Sequence, residues 1–567
     1  MEKFMEEFNK GKGLFWLIFG VIIAIGLALR LSIIEFPLWY DEGCSIATAI
    51  NSFPVGINDY LWNHDLQHTP FYFYILHYIM KFFGDSELVL RTSSLVVAMA
   101  LLPLTYIVTS KLSSRLVATF AMLLMAVNTF QVLYSIEIRM YPHVILLSLL
   151  AINYLIDYDR KGDVGSLVKL GIVNVMNPYF LTGSIVFVIA QFIVYTCYLD
   201  YKKADKNIIV NYIISNAVVL LCLIPYFTLI GHYVAVRSHF LVTDLSNFTM
   251  NNFWGLLQNL YSADPGHIHE TRHAPFPQDI KTYLLVFLPL VYLFVGLFNC
   301  LKDKERLNSV IFGIITLSFV VFVLAANAKV IAFTGRYLIF ISPFLFILTA
   351  IGLSKLRKYH VIAVALFYTI ACGIGLQQTY TWYKDIAYYS LEAPADFAKK
   401  HISGKKNLVI MPFASSVSFY YFKGEDMPRV MPLELFHQVR NPENTNIYNE
   451  AQREEFKTGD KYKVFQKIIT GNGFISENFR KYMQKEIDTV PSGGYILWVI
   501  YYSDNYALIP EHVMRHVYSD YNKVKQYAMT GMLSKFDVDL IKLLMSQCNF
   551  VMRDRDKSNS YFVFQKR

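Results

Sequence analysis

Apolar residues along this chain gather in runs of about 20, long enough to cross a hydrocarbon core about 30 Å thick. The first is Leu14 to Ile34. Further runs cover approximately residues 88–110, 116–134, 140–156, 166–181, 183–199, 208–231, 282–301, 309–328, 337–353 and 359–378. They predict a polytopic α-helical membrane protein with about eleven transmembrane helices. The pair 166–181 and 183–199 is the least regular, because Asn174, Asn177 and Pro178 interrupt it. Leu14 to Ile34 is too long for a signal-peptide core and lacks a small-residue cleavage site, so it is expected to stay as the first helix.

The polar intervals carry an orientation. Lys10 and Lys12, Lys111 and Arg115, Arg160 and Lys161, Lys202 and Lys203, Lys302 to Arg306, and Lys355 to Lys358 all fall on one side. The positive-inside rule makes that side cytoplasmic, which places the N-terminus inside and everything after residue 378 outside a plasma or inner membrane. Two outer loops are long, at about residues 35–87 and 232–281. Within the first, Phe71 to Phe83 reads as a helix too short to span, lying at the interface or re-entering. No internal repeat is evident.

After Gln378 the pattern changes to dense charge, Gly and Pro. Strand-like pieces occur at Leu408–Pro412, Tyr495–Tyr502 and Tyr561–Gln565, and helix-like ones at Val464–Ile469 and Asp537–Met545. The expected organisation is a transmembrane domain, residues 1–389, that includes the outer loop 35–87, followed by an extracytoplasmic α/β domain, residues 390–567.

Composition narrows the class further. The 567 residues are 54% hydrophobic, 16% aromatic and only 17% charged, against about 25% charged in soluble domains. Disorder, collagen and coiled coil are excluded on the same grounds. Much of the net charge of +9 sits in the short loops, so it does not call for nucleic acid, and none is expected as a partner. The cysteines, Cys44, Cys197, Cys222, Cys300, Cys372 and Cys548, show no metal or CxxC spacing and mostly lie in apolar runs. They read as small buried hydrophobes.

Candidate chemistry clusters on the outer side. Leu38-Trp39-Tyr40-Asp41-Glu42 follows the first span, and adjacent carboxylates at membrane level are expensive unless paired, solvated or used. His68-Thr69-Pro70 precedes the short helix, and Glu87 and Arg91 open the next run. Ser135-Ile136-Glu137-Ile138-Arg139-Met140-Tyr141 lies between the third and fourth runs, and Gly335-Arg336-Tyr337 opens a late one.

In this order and on one side, the pieces resemble the GT-C superfamily of polytopic glycosyltransferases. The likeness is strongest to the branch with the protein O-mannosyltransferases and lipid A aminoarabinose transferases. It rests on Asp41-Glu42, His68-Thr69-Pro70, Arg91, Ser135-Glu137-Arg139-Tyr141 and Gly335-Arg336-Tyr337, and covers about residues 14–378. Thr69 stands where the family commonly has a first proline. The resemblance implies transfer of a sugar from a polyprenyl-phosphate donor to an acceptor on the outer face, by a single inverting displacement. The acceptor could be a lipid, a protein or a polysaccharide.

The chemistry of such a transfer suits these residues. A lipid phosphate is already a stable anion as it leaves, so it needs cationic stabilisation, and an arginine fork matches phosphate oxygens. Arg139 and Arg336 fall at headgroup depth, with His68, Glu137, Tyr141 and Tyr337 as further donor-binding candidates. Asp41 is the candidate base for the acceptor proton, with Glu42 orienting it.

Other readings of the same residues stand beside these. Arg139 could snorkel to the interface and Arg336 anchor a helix end. Arg91 is four residues from Glu87 and reads as a structural pair, while Arg30 would snorkel or pair with an acid of the first loop. His68 could cap its helix or join Asp41 on a divalent metal, the one cofactor in view. His267, His269, Arg272 and His273 suggest zinc but lack supporting ligands. Asn247-Phe248-Thr249 matches an N-glycosylation sequon. A transporter or flippase of lipid-linked glycans, or a ligase with a lipid-diphosphate donor, would also show many spans and outer arginines. Such a transporter should carry broken helices and ionisable groups near the midplane, which the acid-bearing outer loop does not suggest.

Overall fold

The computed structural model describes residues 12–38, 40–64, 68–237, 291–295, 298, 307–328, 335–353, 366, 368–370, 372–374, 376–377, 380, 392–411, 420–431, 477–501, 535–555 and 559–567. The chain divides into two compact units. One comprises Met1–Phe36, Thr48–Val234 and Asp244–Trp382; the other comprises Pro37–Ala47, Ala235–Thr243 and Tyr383–Arg567.

Among the described residues up to 353, the α-helices are, in chain order, α1 (Lys12–Leu31), α2 (Tyr40–Ala49), α3 (Val55–His64), α4 (Phe71–Phe83), α5 (Glu87–Leu112), α6 (Arg115–Val127), α7 (Thr129–Ile136), α8 (Tyr141–Lys161), α9 (Val164–Phe180), α10 (Ile185–Tyr201), α11 (Lys206–Cys222), α12 (Ile224–Arg237), α13 (Leu307–Asn327) and α14 (Ser342–Leu353). Among the described residues, six uninterrupted helices are long and apolar enough to cross a membrane: Gly13–Leu31, Glu87–Leu112, Tyr141–Lys161, Thr182–Tyr201, Leu307–Asn327 and Gly335–Leu353. Two helix pairs are long and apolar enough only together and are bent at a short break, α6 with α7 at 60° and α11 with α12 at 46°, each a broken span or a re-entrant loop. The run 166–181 folds as α9, whose 17 residues are at the lower end of what a crossing needs. Runs 282–301 and 359–378 lie mostly outside the described residues.

Both breaks have a local cause. Asn128 ends α6, and its side-chain oxygen accepts from the Gln131 amide at 3.1 Å, so it caps α7 where the apolar pattern looks continuous. Pro225, one residue into α12, has no N–H with which to continue α11. The α6 break leaves helix-end carbonyls in an apolar setting, and Arg30 supplies them with donors. Its Nη1 lies 3.0 Å from the Ala126 carbonyl and 2.9 Å from that of Gly26. Arg30 is 1% exposed, so it neither snorkels nor pairs with a loop acid.

Among the described residues, segment 35–87 holds three helices, α2, α3 and α4, and the expected Phe71 to Phe83 helix is α4. Helix α5 follows, capped by Ser86, whose hydroxyl accepts from the Val89 amide at 3.4 Å. Cys197 and Cys222 are exposed on α10 and α11, which corrects the expectation of burial for those two; Cys372 and Cys548 are buried.

The second unit contains a five-stranded mixed sheet. Its strands are β1 (Leu408–Ile410), β2 (Arg429–Val430), β3 (Tyr495–Tyr501), β4 (Cys548–Arg555) and β5 (Asn559–Lys566), in the order β2-β1-β3-β5-β4. β1 pairs parallel with β2 and β3; β5 pairs antiparallel with β3 and β4. Helices α15 (Glu392–His401), α16 (Glu477–Asp488) and α17 (Lys535–Gln547) accompany it. Leu408, Val409, Trp498 and Phe562 are buried, and the Phe397 ring of α15 stacks on Tyr561 at 4.2 Å. Val464–Ile469 lies outside the described residues.

Candidate functional site

Between the end of α7 and the start of α8 the chain leaves the helix for four residues, Glu137 to Met140. Pro142, in the first turn of α8, suits the helix start because the missing N–H is one that would go unbonded there. In this short irregular stretch Arg139 is 2% exposed and Glu137 6%, and the Tyr141 that follows is wholly buried. The Arg139 amide donates to the Glu137 carbonyl at 2.7 Å.

The Arg139 guanidinium has its Nη2 at 2.6 Å from Nε2 of His68. A guanidinium carries only donors, so the imidazole nitrogen accepts. His68 is held in place by its neighbours. The Thr69 hydroxyl donates to the Pro178 carbonyl at 3.1 Å, and Phe73 of α4 meets the imidazole edge-on at 6.1 Å. Tyr134 and Tyr141, on the two sides of this stretch, pack edge to face at 5.0 Å. The starts of α4 and α8 and the end of α9 therefore converge on one buried cation. Burying a guanidinium is costly unless it is bonded, and within a membrane bundle such a residue marks a functional place by default.

His143 belongs to the same wall and was not singled out from the sequence. It stacks on Phe180 at 5.4 Å and meets Tyr72 edge-on at 5.6 Å. The signal available was its position two residues after Tyr141.

Gly335-Arg336-Tyr337 begins a 3-10 turn, Gly335–Ile341, that runs into α14. Arg336 is half-buried, with its guanidinium 5.5 Å from the centre of the Tyr337 ring. This turn packs against α8. The hydroxyl of Ser342, the first residue of α14, accepts from the side-chain Nε2 of Gln131 in α7 at 2.7 Å. The elements on either side of Arg139 are thus both attached to the segment that carries Arg336.

Arg91 lies 4.0 Å from Glu87, as the spacing suggested. Its guanidinium also donates to the carbonyls of Ile34, at 2.9 Å, and Phe36, so it pins the chain leaving α1.

Asp41 and Glu42 stand in the first turn of α2 and belong to the second unit. A helix N-terminus favours carboxylates there. Asp41 is half-buried and Glu42 is 1% exposed. The Ser45 hydroxyl donates to the Asp41 carbonyl at 3.1 Å, and the buried Leu38 amide donates to the Tyr421 hydroxyl at 2.9 Å. The acid pair is therefore fastened to a segment almost 400 residues further along the chain, the separation being 383. Trp39 lies outside the described residues, as do the sequon at 247–249 and His267, His269, Arg272 and His273. Among the described residues, no three or more His, Cys, Asp or Glu side chains are grouped to hold a metal. Asp41 and His68 belong to different units.

With this geometry in hand, the whole chain compares with a solved structure. It matches the crystal structure of ArnT from Cupriavidus metallidurans in the apo state with a TM-score of 0.56, at 11% identity, over 97% of this chain and 98% of that one. The chain has the fold of that protein. The same ArnT bound to undecaprenyl phosphate matches with a TM-score of 0.51 at 12% identity, over 98% of each chain. That fold is shared here almost without sequence likeness: no family model matches this sequence, and no curated protein matches it.

Proposed function

We propose that the protein is an integral-membrane glycosyltransferase that moves a hexosyl or pentosyl group from a polyprenyl-phosphate donor to a lipid, protein or polysaccharide acceptor on the outer face of the membrane. The observation that carries the reading is the buried Arg139 with His68 at 2.6 Å, in a chain with the fold of a protein crystallised with undecaprenyl phosphate.

In this reading Arg139 and Arg336 bind the donor phosphate. The bond between the anomeric carbon and the phosphate oxygen breaks, and its electron pair stays on the phosphate, where the guanidinium groups stabilise it. His68 holds the Arg139 fork in one orientation, which lowers the reorganisation needed as charge develops. Glu137, Tyr141 and Tyr337 line the donor side. The acceptor oxygen or nitrogen forms the new bond to the anomeric carbon, and its proton passes to Asp41, with Glu42 orienting that carboxylate. The N-terminus is cytoplasmic and the residues after 378 face outward, following the loop charges.

Mass spectrometry of lipids that purify with the protein tests the assignment. A retained polyprenyl-phosphate sugar is expected, and a lipid-diphosphate oligosaccharide in its place would favour a ligase.

A further inference from the structure

Asp41 is carried by the first turn of α2, and two side chains from distant parts of the chain hold that helix at its ends. At the far end, the carbonyl of Ala49, the last residue of α2, lies 2.8 Å from Nδ1 of His77 in α4. A carbonyl only accepts, so the imidazole donates. Before the start, the buried Leu38 amide donates to the Tyr421 hydroxyl at 2.9 Å. Pro37 precedes that amide and α2 begins at Tyr40, so the bond fixes the chain as it enters the helix.

Tyr421 is in turn tied to the sheet. The buried Phe422 follows it, and the chain then runs to Arg429, where β2 begins. The Arg429 amide donates to the Asn407 carbonyl at 2.9 Å and the Met431 amide to that of Val409 at 3.0 Å, which sets β2 against β1. Beside Tyr421, the Tyr420 ring meets it edge-on at 5.2 Å, and the Lys423 ammonium lies 4.2 Å from the centre of the Tyr420 ring. All of these residues belong to the second unit, as do Leu38 and Asp41. Strand, tyrosine, amide and helix start form one linkage that ends at the carboxylate.

We propose that Tyr421 is a positioning residue for sugar transfer: through the Leu38 amide it ties the entry of α2 to the sheet and sets where the Asp41 carboxylate stands. The inference rests on reading Asp41 as the acceptor's base. A base works only within hydrogen-bond reach of the proton it takes, and a misplacement of about 1 Å can cost 10²-fold. His77 keeps the other end of α2, so loss of the Tyr421 hydroxyl moves the helix start without unfolding the helix.

The full chain is assayed on the labelled polyprenyl-phosphate sugar that purifies with it. Tyr421→Phe should lower kcat about tenfold with the donor KM within about twofold. Phe397→Leu, which removes the stack on Tyr561 elsewhere on the same sheet, should lower the melting temperature and keep the wild-type kcat. A readout without turnover is the reaction of Asp41→Cys with a soluble maleimide, measured against the chain with Asp41 intact. Adding Tyr421→Phe should speed that labelling about fivefold. A wild-type kcat in Tyr421→Phe, an equal fall in Phe397→Leu, or unchanged labelling would overturn the proposal. A wild type that leaves the donor uncleaved would remove the transfer reading instead, and the labelling rates would still decide whether Tyr421 sets position 41.

Discussion

The Arg139 guanidinium and the His68 imidazole meet at 2.6 Å although 71 positions separate them in the chain. One is fixed by the irregular turn before α8 and the other by the turn before α4. Losing this bond in His68→Ala should cost about 1.5–3 kcal/mol, the range for a hydrogen bond to a charged group. Thermal unfolding in detergent reads the loss. His68→Gln, which keeps an acceptor, should recover part of it, and a melting temperature unchanged in both variants would remove the bond from the account.

Asn128 makes the 60° break between α6 and α7. Asn128→Ala removes the cap on α7 and the 2.8 Å bond to the Tyr368 hydroxyl. A destabilisation of about 0.5–2 kcal/mol is expected from the cap and roughly 1 kcal/mol from the second bond. Thermal unfolding compared with the wild type checks the sum.

Tyr421 accepts from the Leu38 amide three residues before Asp41. Tyr421→Phe leaves that buried donor without the hydroxyl, at a cost of about 1–3 kcal/mol. A cysteine cross-link or protease cut near residues 37–47 should become easier in the variant, which limited proteolysis would read.

The loop charges make a topological prediction. A tag after Arg567 should react with membrane-impermeant reagents in intact cells, while one at the N-terminus should be protected. Protection of the C-terminal tag would reverse the orientation and put Asp41 on the wrong side for an outer-face reaction.

Much of the bundle was legible because a run of about 20 apolar residues has few alternatives to a membrane helix. The runs behind α1, α5, α8 and α13 became helices near the expected ends. The two bent pairs were not foreseen, since single polar or proline residues, Asn128 and Pro225, decide them within otherwise apolar text. In the sheet, β1, β3 and β5 showed as aromatic or β-branched pieces. β4 did not, because Asn549, Arg553 and Asp554 dilute it and its register shifts between Phe550 and Met552. At the candidate site, the sequence offered Arg139 and His68 as separate motifs. Only folding brings them together, and no local spacing encodes that. Arg30 was misread for a related reason: the carbonyls it serves belong to a helix end some 95 residues away.

The proposed activity is cleavage of a sugar from a lipid phosphate. Purified protein given a labelled polyprenyl-phosphate sugar and an acceptor extract should release free polyprenyl phosphate and form a labelled product. Asp41→Asn should slow that release by about 10²–10⁴-fold with the fold intact, and Arg139→Ala should weaken donor binding. A donor that stays uncleaved, or that crosses the membrane whole in proteoliposomes, would contradict the account and make the protein a carrier.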